Sequence, residues 1–262
     1  MLANVPIQRG KYRLAQLGAL FLDGVPIRSR YGPLLHTRFA DSTFWLAARY
    51  GNDEVMALLA DLSSADGFID VGANIGLTSC FAQPRCLAVL SLEASSREFA
   101  DLQRNCALLT APPPPSVLLA AAADTSGFLP FRIGHISHSG GNSLGPGYSC
   151  AEEQLMVQAI RLDDLLNAGA LSEWPAMHLA WNHHRLVVKI DVEGFEAAVL
   201  RGMCVLLRER RCRKVIVEIN DQRAAGLGMA CDIDAYMESF GYFPSVDPGG
   251  RCHFDQCYVP QH

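Results

Sequence analysis

The apolar positions of this chain fall into short continuous runs separated by stretches with helical spacing. FIDV (68–71), CLAVLSLEA (86–94), SVLLAAAA (116–123), LVVKIDV (186–192) and KVIVEIN (214–220) are rich in Val, Ile, Leu and Ala. Such runs predict strands buried on both faces. Between them the spacing changes to about 3.6 residues. Val55, Leu58, Leu59 and Leu62 form a stripe that predicts a helix over 53–62. Further helices are predicted from about Ile75, over 96–108 with Ser95 or Ser96 as N-cap, over 195–210 and over 233–240. Strands alternating with helices imply a parallel sheet covered on both faces. The rhythm breaks after the third strand, where FLPFRI (128–133) and LMVQAIRL (155–162) flank a Gly/Ser/His-rich loop and predict an inserted hairpin. YFPSV and CHFDQCYVP near the end predict an antiparallel edge. Residues 1–50 read as an arm rich in aromatics and arginine, an extension on the substrate side of a domain over 51–262.

Composition narrows the class. Half of the 262 residues are hydrophobic and 19% are charged, enough for a full core and far from a disordered composition. A formal net charge of −5 argues against a surface built for nucleic acid or anionic lipid. The basic cluster Arg208, Arg210, Arg211, Arg213 and Lys214 reads as the charged end of a helix. Nine scattered cysteines without a C-x-x-C pair fit free thiols in a reducing compartment. Arg9, Lys11 and Arg13 before LAQLGALFL imitate a signal peptide, but Gln16 interrupts the run and Asp23 follows it. No apolar run approaches the ~20 residues needed to span a bilayer. The expectation is a soluble, cytoplasmic protein.

Candidate chemistry sits where the apolar runs end. FIDVGANIG places Asp70 at the end of a strand and brackets Ala73, Asn74 and Ile75 between Gly72 and Gly76. The nicotinamide fingerprint G-x-G-x-x-G needs a middle glycine for close approach to a pyrophosphate, and that spacing is absent here. A ligand with adenosine but no phosphates fits better, S-adenosylmethionine above all. Glu93 follows Gly72 by 21 residues and ends the second strand. That is close to the ~20 expected of a ribose-binding acid, with Ala94 beside it. Asp124, after the third strand, is placed to accept from an adenine amino group, with Ala123 giving backbone contact.

Two strands carry charges that their neighbours do not predict. In LVVKIDVEG a period of two puts Lys189, Asp191 and Glu193 on one face, and Glu218 and Asn220 repeat the anomaly in KVIVEIN. A buried charge demands a partner, so Lys189 is expected to pair with Asp191 or Glu218 near the ligand edge. Asp191 or Glu218 would orient, or deprotonate, a substrate hydroxyl. His135 and His138, in the loop of the inserted hairpin, are further candidates for the proton. Asp191, Asn220 and Asp221 imitate a magnesium site, but nothing implies the catechol-like partner such a site serves, and no metal is expected.

With FIDVGANIG, LEAS, AAADTSG, GNSL, RLDDLL, KIDVEGFEAAVLRG and VIVEIN in this order, residues from about 50 onward resemble the FkbM-family methyltransferases. KIDVEGFE is the most specific of these segments. The resemblance implies a Rossmann-like class I methyltransferase fold: a mostly parallel seven-stranded sheet with an antiparallel edge, helices on both faces, and an inserted hairpin after the third strand. It also implies S-adenosylmethionine as cofactor, S-adenosylhomocysteine as product, and O-methylation of a hydroxylated natural product or sugar. Cofactor contacts are implied at Asp70, Gly72, Asn74, Gly76, Glu93 and Asp124. No [DN]-P-P-[YFW] motif is present, so methylation of planar amines is not supported. The rival readings are a binding module that kept the fold and lost the chemistry, and a nicotinamide-dependent oxidoreductase.

Overall fold

The computed structural model describes residues 23–39, 52–110, 113–133, 153–167, 169–220 and 232–261, together with Gly18, Phe21, Thr43, Phe44 and Ala47. The arm contributes β1 (Pro26–Arg28) and β2 (Leu34–His36). The chain then runs through α1 (Asp53–Leu58), β3 (Gly67–Val71), α2 (Leu77–Ala82), β4 (Ala88–Glu93), α3 (Ser96–Cys106) and β5 (Ser116–Leu119). The inserted region holds β6 (Ala121–Ala122), β7 (Gly127–Ile133) and β8 (Glu153–Ile160). There follow α4 (Leu162–Leu165), α5 (Pro175–Asn182), β9 (Leu186–Ile190), α6 (Glu196–Arg201), α7 (Cys204–Arg208) and β10 (Cys212–Asn220). The chain ends with α8 (Ile233–Glu238), β11 (Tyr242–Pro244) and β12 (His253–Pro260).

Seven strands form the main sheet in the order β11-β12-β10-β9-β3-β4-β5. The pairs from β10 to β5 are parallel, and β12 runs antiparallel to both β10 and β11. Each face of this sheet has its own core, because alternate residues of every strand point to opposite sides. Ile69, Val71, Leu90, Val188, Ile190, Val215 and Val217 pack with Met177, Leu200 and Leu207 on one face. Phe68, Val89, Val187, Ile216 and Cys257 pack with Val55, Leu59 and Leu35 on the other. Leu35 belongs to the arm, so its described residues share this core.

Three expectations need correction. The run 116–123 is not one strand. β5 pairs with β4, and after Ala120 the chain leaves the main sheet so that β6 pairs with β8 in a separate three-stranded sheet. The predicted helix over 195–210 is two helices. At Gly202 a Cβ would lie 1.9 Å from the Ala123 carbonyl oxygen, so the backbones meet where only glycine fits. The second helix is capped from outside, its Val205 and Leu206 amides donating to the Asp163 carboxylate at 3.0 Å. The basic cluster, finally, is not all helix end. Arg213 and Lys214 lie in β10 and bind Asp61 and Asp66. Among the described residues, no helix is long and apolar enough to cross a membrane.

Candidate active site

The turn after β3 folds as it does because two backbones must nearly touch. Gly72 has φ +77°, and a Cβ there would stand 1.9 Å from the Asp191 carbonyl oxygen. The Gly72 and Ala73 amides both donate to the Leu92 carbonyl at 3.0 Å, which ties the turn to β4. Asn74 then enters the left-handed region at φ 52°, and its amide donates to Glu93 Oε2 at 2.8 Å. Glu93 Oε1 accepts from the Ser95 amide, also at 2.8 Å. Glu93 is thus both the end of β4 and the clasp of the turn. Burial pushes its carboxyl up to about 7, with Glu98 adding to the rise and the Ser95 and Asn74 amides opposing it.

Asp70 is placed differently from its expected role. It is wholly buried, and its Oδ2 accepts from Thr78 and Ser79 hydroxyls at 2.6 Å each. It fixes the first turn of α2 and stands 3.5 Å from the Lys189 ammonium. Gly76 also lies behind the site, where a Cβ would meet Leu102. The arm reaches this turn through Asn105, which accepts from the His36 amide and donates to the Ile75 carbonyl at 2.7 Å.

Strand register explains the odd charges. On the face that carries Phe68, Val187, Ile216 and Cys257, the next residues toward the ligand edge are Asp70, Lys189 and Asp191, Glu218, and Asp255. The apolar face becomes a charged row as it leaves the core. Lys189 lies 3.1 Å from Asp191 Oδ2 and donates to the Gly72 carbonyl at 3.2 Å. Burial works against its charge, but Asp191 and Asp70 outweigh it and hold the ammonium above its ordinary range. Glu218 does not complete that ion pair, because the register sets Ile216 beside Lys189. It turns instead to His253, whose Nε2 is 2.7 Å from Glu218 Oε1. Burial, then Asp191, push Asp255 up to about 6.

The KIDVEGFE segment closes the row. Glu193 and Gly194 both have positive φ, at 60° and 98°. That backbone is held by Glu196, whose Oε1 accepts from the Val192 amide at 3.1 Å and the Gly194 amide at 3.0 Å. A non-glycine residue kept in the left-handed region by its neighbours is the kind of strain that collects at functional sites.

Together these parts border a cavity of about 520 Å³. Gly72, Ala73, Asn74, Glu93 and Ala94 line it, with Ala120, Ala121, Ala122 and Phe131. Lys189, Asp191, Glu193, Glu218, His253 and Asp255 line it as well, Lys189 and Asp191 lying directly against Gly72. Ala123 and Asp124 are not part of the lining. Because the chain leaves the sheet at Ala120, Ala123 is buried against Gly202 and Asp124 pairs with Arg201 at 3.0 Å. Asp124, expected at the adenine, is paired with Arg201 and lies outside the lining. His135, His138 and Asp221 lie outside the described residues. Among the described residues no group of His, Cys, Asp and Glu is arranged to hold a metal. His253 and Asp255 were missed in the sequence, although CHFDQCYVP carries them in the same period of two that reveals Lys189 and Asp191.

The order of the seven strands, the single antiparallel strand between β10 and β11, and the glycine turn at the carboxyl end of β3 define a Rossmann-like class I methyltransferase fold. The chain belongs to the FkbM methyltransferase family, whose methyltransferase FkbM domain matches residues 70–244. A hexuronic acid methyltransferase, AglP of Haloferax volcanii, is 29% identical over 171 residues. That match spans 65% of this chain and 63% of the relative, less than two thirds of its length. Among solved structures, the methyltransferase FkbM from Methylobacillus flagellatus KT is 15% identical with a TM-score of 0.49, over 76% of this chain and 44% of that one. Magnesium protoporphyrin IX methyltransferase from Synechocystis PCC 6803, solved with bound SAM, is 12% identical with a TM-score of 0.40, over 79% of this chain and 76% of that one.

Proposed function

We propose that the protein transfers a methyl group from S-adenosylmethionine to a hydroxyl of a small, sugar-type acceptor. The observation that carries this reading is a cavity lined both by Glu93 and by the Lys189–Asp191 pair. The residues fit the cofactor. Glu93 ends β4 where a ribose diol would donate to it, and an ionised carboxylate has lone pairs beyond those taken by two amides. Asn74 lines the cavity, and its Oδ1 is buried with no hydrogen-bond partner. Ala120–Ala122 and Phe131 give a flat apolar wall suited to adenine. When bound, the cofactor supplies a methyl carbon activated by its sulfonium. What remains for the chain is to exclude water and hold the acceptor oxygen at ~3–3.5 Å from that carbon. Asp191 and Glu218 are the carboxylates placed to orient the hydroxyl. The hexuronic acid named for the Haloferax relative supports a sugar-type acceptor here.

The test is methyl transfer from labelled S-adenosylmethionine to a panel of hexoses, uronic acids and hydroxylated aromatics. Label in an O-methyl product is the expected result. Binding of S-adenosylhomocysteine with no transfer to any acceptor would favour a binding module instead.

A further inference from the structure

Two carboxylates of the cavity lining, Asp191 and Glu218, have different surroundings. Asp191 is held by the Lys189 ammonium at 3.1 Å, an ion pair that protonation would break. Among the described residues Glu218 has no Lys or Arg partner of that kind. Its Oε1 is bonded to His253 Nε2, while its Oε2 is buried without a hydrogen-bond partner. Both Glu218 and His253 line the cavity. A buried acceptor with no partner, beside the space a ligand fills, is an open position for a hydroxyl donor. The charged groups that face Glu218 are Asp191 and Lys189 from β9 and the loop after it, Glu196 from α6, and His253 and Asp255 from β12. Burial, then Asp191, push the Glu218 carboxyl up to about 8, and the His253 contact opposes that rise.

We propose that Glu218 is the base that takes the proton from the acceptor hydroxyl, and that His253 is its positioning residue, holding Oε1 and leaving Oε2 without a partner. The inference rests on the methyltransferase reading above and adds which side chain moves the proton. The acceptor oxygen bonds to the methyl carbon as the carbon–sulfur bond breaks. The bonding pair leaves with sulfur as a neutral thioether, and the hydroxyl proton goes to Glu218 Oε2. His253 serves with Nε2 protonated, donating to the carboxylate. Its side chain is 59% exposed, so its ring also meets solvent at the rim. Two carboxylates whose environments differ this way divide the work. Asp191, paired with Lys189, orients, while Glu218 exchanges the proton.

Two measurements test this, one of them without an acceptor. Carboxyl carbon NMR of the S-adenosylhomocysteine-bound protein, with Glu218 assigned by the signal lost in Glu218→Gln, is expected to show Glu218 titrating well above the ordinary carboxylate range. In the labelled-methyl assay, Glu218→Gln is expected to lower kcat by roughly 10²–10⁴-fold, the usual worth of a general base. His253→Ala should lower kcat and shift the acid limb of the pH profile, and His253→Gln, whose amide can reach the same oxygen, should recover part of the loss. Cofactor affinity should stay unchanged in all three. Wild-type kcat in Glu218→Gln, or a Glu218 signal titrating with the ordinary carboxylates, overturns the proposal. A wild-type protein that binds S-adenosylhomocysteine but methylates no hydroxyl sinks the methyltransferase reading itself, and this inference with it.

Discussion

Glu93 clasps the turn and, on the proposed reading, holds the ribose, and that decides which substitution is informative. Its oxygens bind the Asn74 and Ser95 amides, so Glu93→Ala would orphan two buried donors as well as remove the proposed ribose acceptor. Glu93→Gln keeps one of the two acceptors and orphans one backbone donor, fewer than Glu93→Ala. It is expected to weaken S-adenosylhomocysteine binding by about tenfold or more, one charge-assisted bond being worth ~1.5–3 kcal/mol, with little change in melting temperature. Affinity should also follow pH. The ionised form accepts from the ribose, and burial holds the carboxyl at about 7, so binding is lost as pH falls through that value. Calorimetry should find affinity roughly tenfold lower at about pH 6 than at about pH 8, and Glu93→Gln should flatten the dependence. Asp191→Asn separates chemistry from structure. If Asp191 orients the acceptor, turnover drops while stability is nearly kept; a purely structural lock on Lys189 would cost ~3–5 kcal/mol of stability. Glu93, Lys189, Asp191 and Glu218 were legible because acids and a lysine stand out in apolar runs. The exit of the chain at Ala120 was not legible, because it depends on a pairing with β8 that no local pattern records. The Glu218–His253 contact joins residues 35 positions apart across two strands, so it appears only once register is known.

Among the elements, the break between α6 and α7 shows how distant parts set local structure. The run 195–210 has good helical spacing, yet Gly202 must lie against Ala123, and the chain restarts as a helix under the Asp163 carboxylate. Asp163 belongs to the RLDDLL segment, whose role is therefore capping across space. Asp163→Ala is expected to cost about 1–2 kcal/mol, the worth of a cap. For a chain of this size that is a fall of roughly 3–6 °C in melting temperature, with S-adenosylhomocysteine affinity unchanged. An unchanged melting temperature would show that α7 does not depend on this cap. Gly72→Ala should be worse, since it needs a left-handed backbone and a Cβ 1.9 Å from the Asp191 oxygen. Its expected effect is loss of both stability and cofactor binding, read by thermal melts and calorimetry. Most strands were legible to within about two residues, because continuous Val/Ile/Leu runs leave little choice, but the break at Ala120 was not. α5 was missed, since its Pro175 start and mixed face give only a weak period.

For the whole molecule, the sheet concentrates acids at its carboxyl edge and leaves them dependent on pH. Glu93, Asp255 and Glu218 are pushed up to about 7, 6 and 8, mainly by burial. Carboxyls raised above their unfolded values stabilise the fold fully below those values, and that stabilisation is lost as pH rises through the raised ones. Asp61, Asp66 and Glu98, held low by Arg213, Lys214, Arg97 and Arg38, act in the opposite sense at acid pH. The unliganded protein should therefore melt highest near about pH 5 and at lower temperature toward about pH 8, as thermal scans across that range would show. This acidic edge is what a bound sulfonium cation would relieve, which links stability to the identity of the ligand. The central claim is that the cavity between Glu93 and the Lys189–Asp191 pair is built for S-adenosylmethionine. Its most direct test is calorimetric titration of the full chain with S-adenosylhomocysteine and, separately, with NADH. The account expects saturable binding of S-adenosylhomocysteine and none of NADH; tight NADH binding with no response to S-adenosylhomocysteine would contradict it.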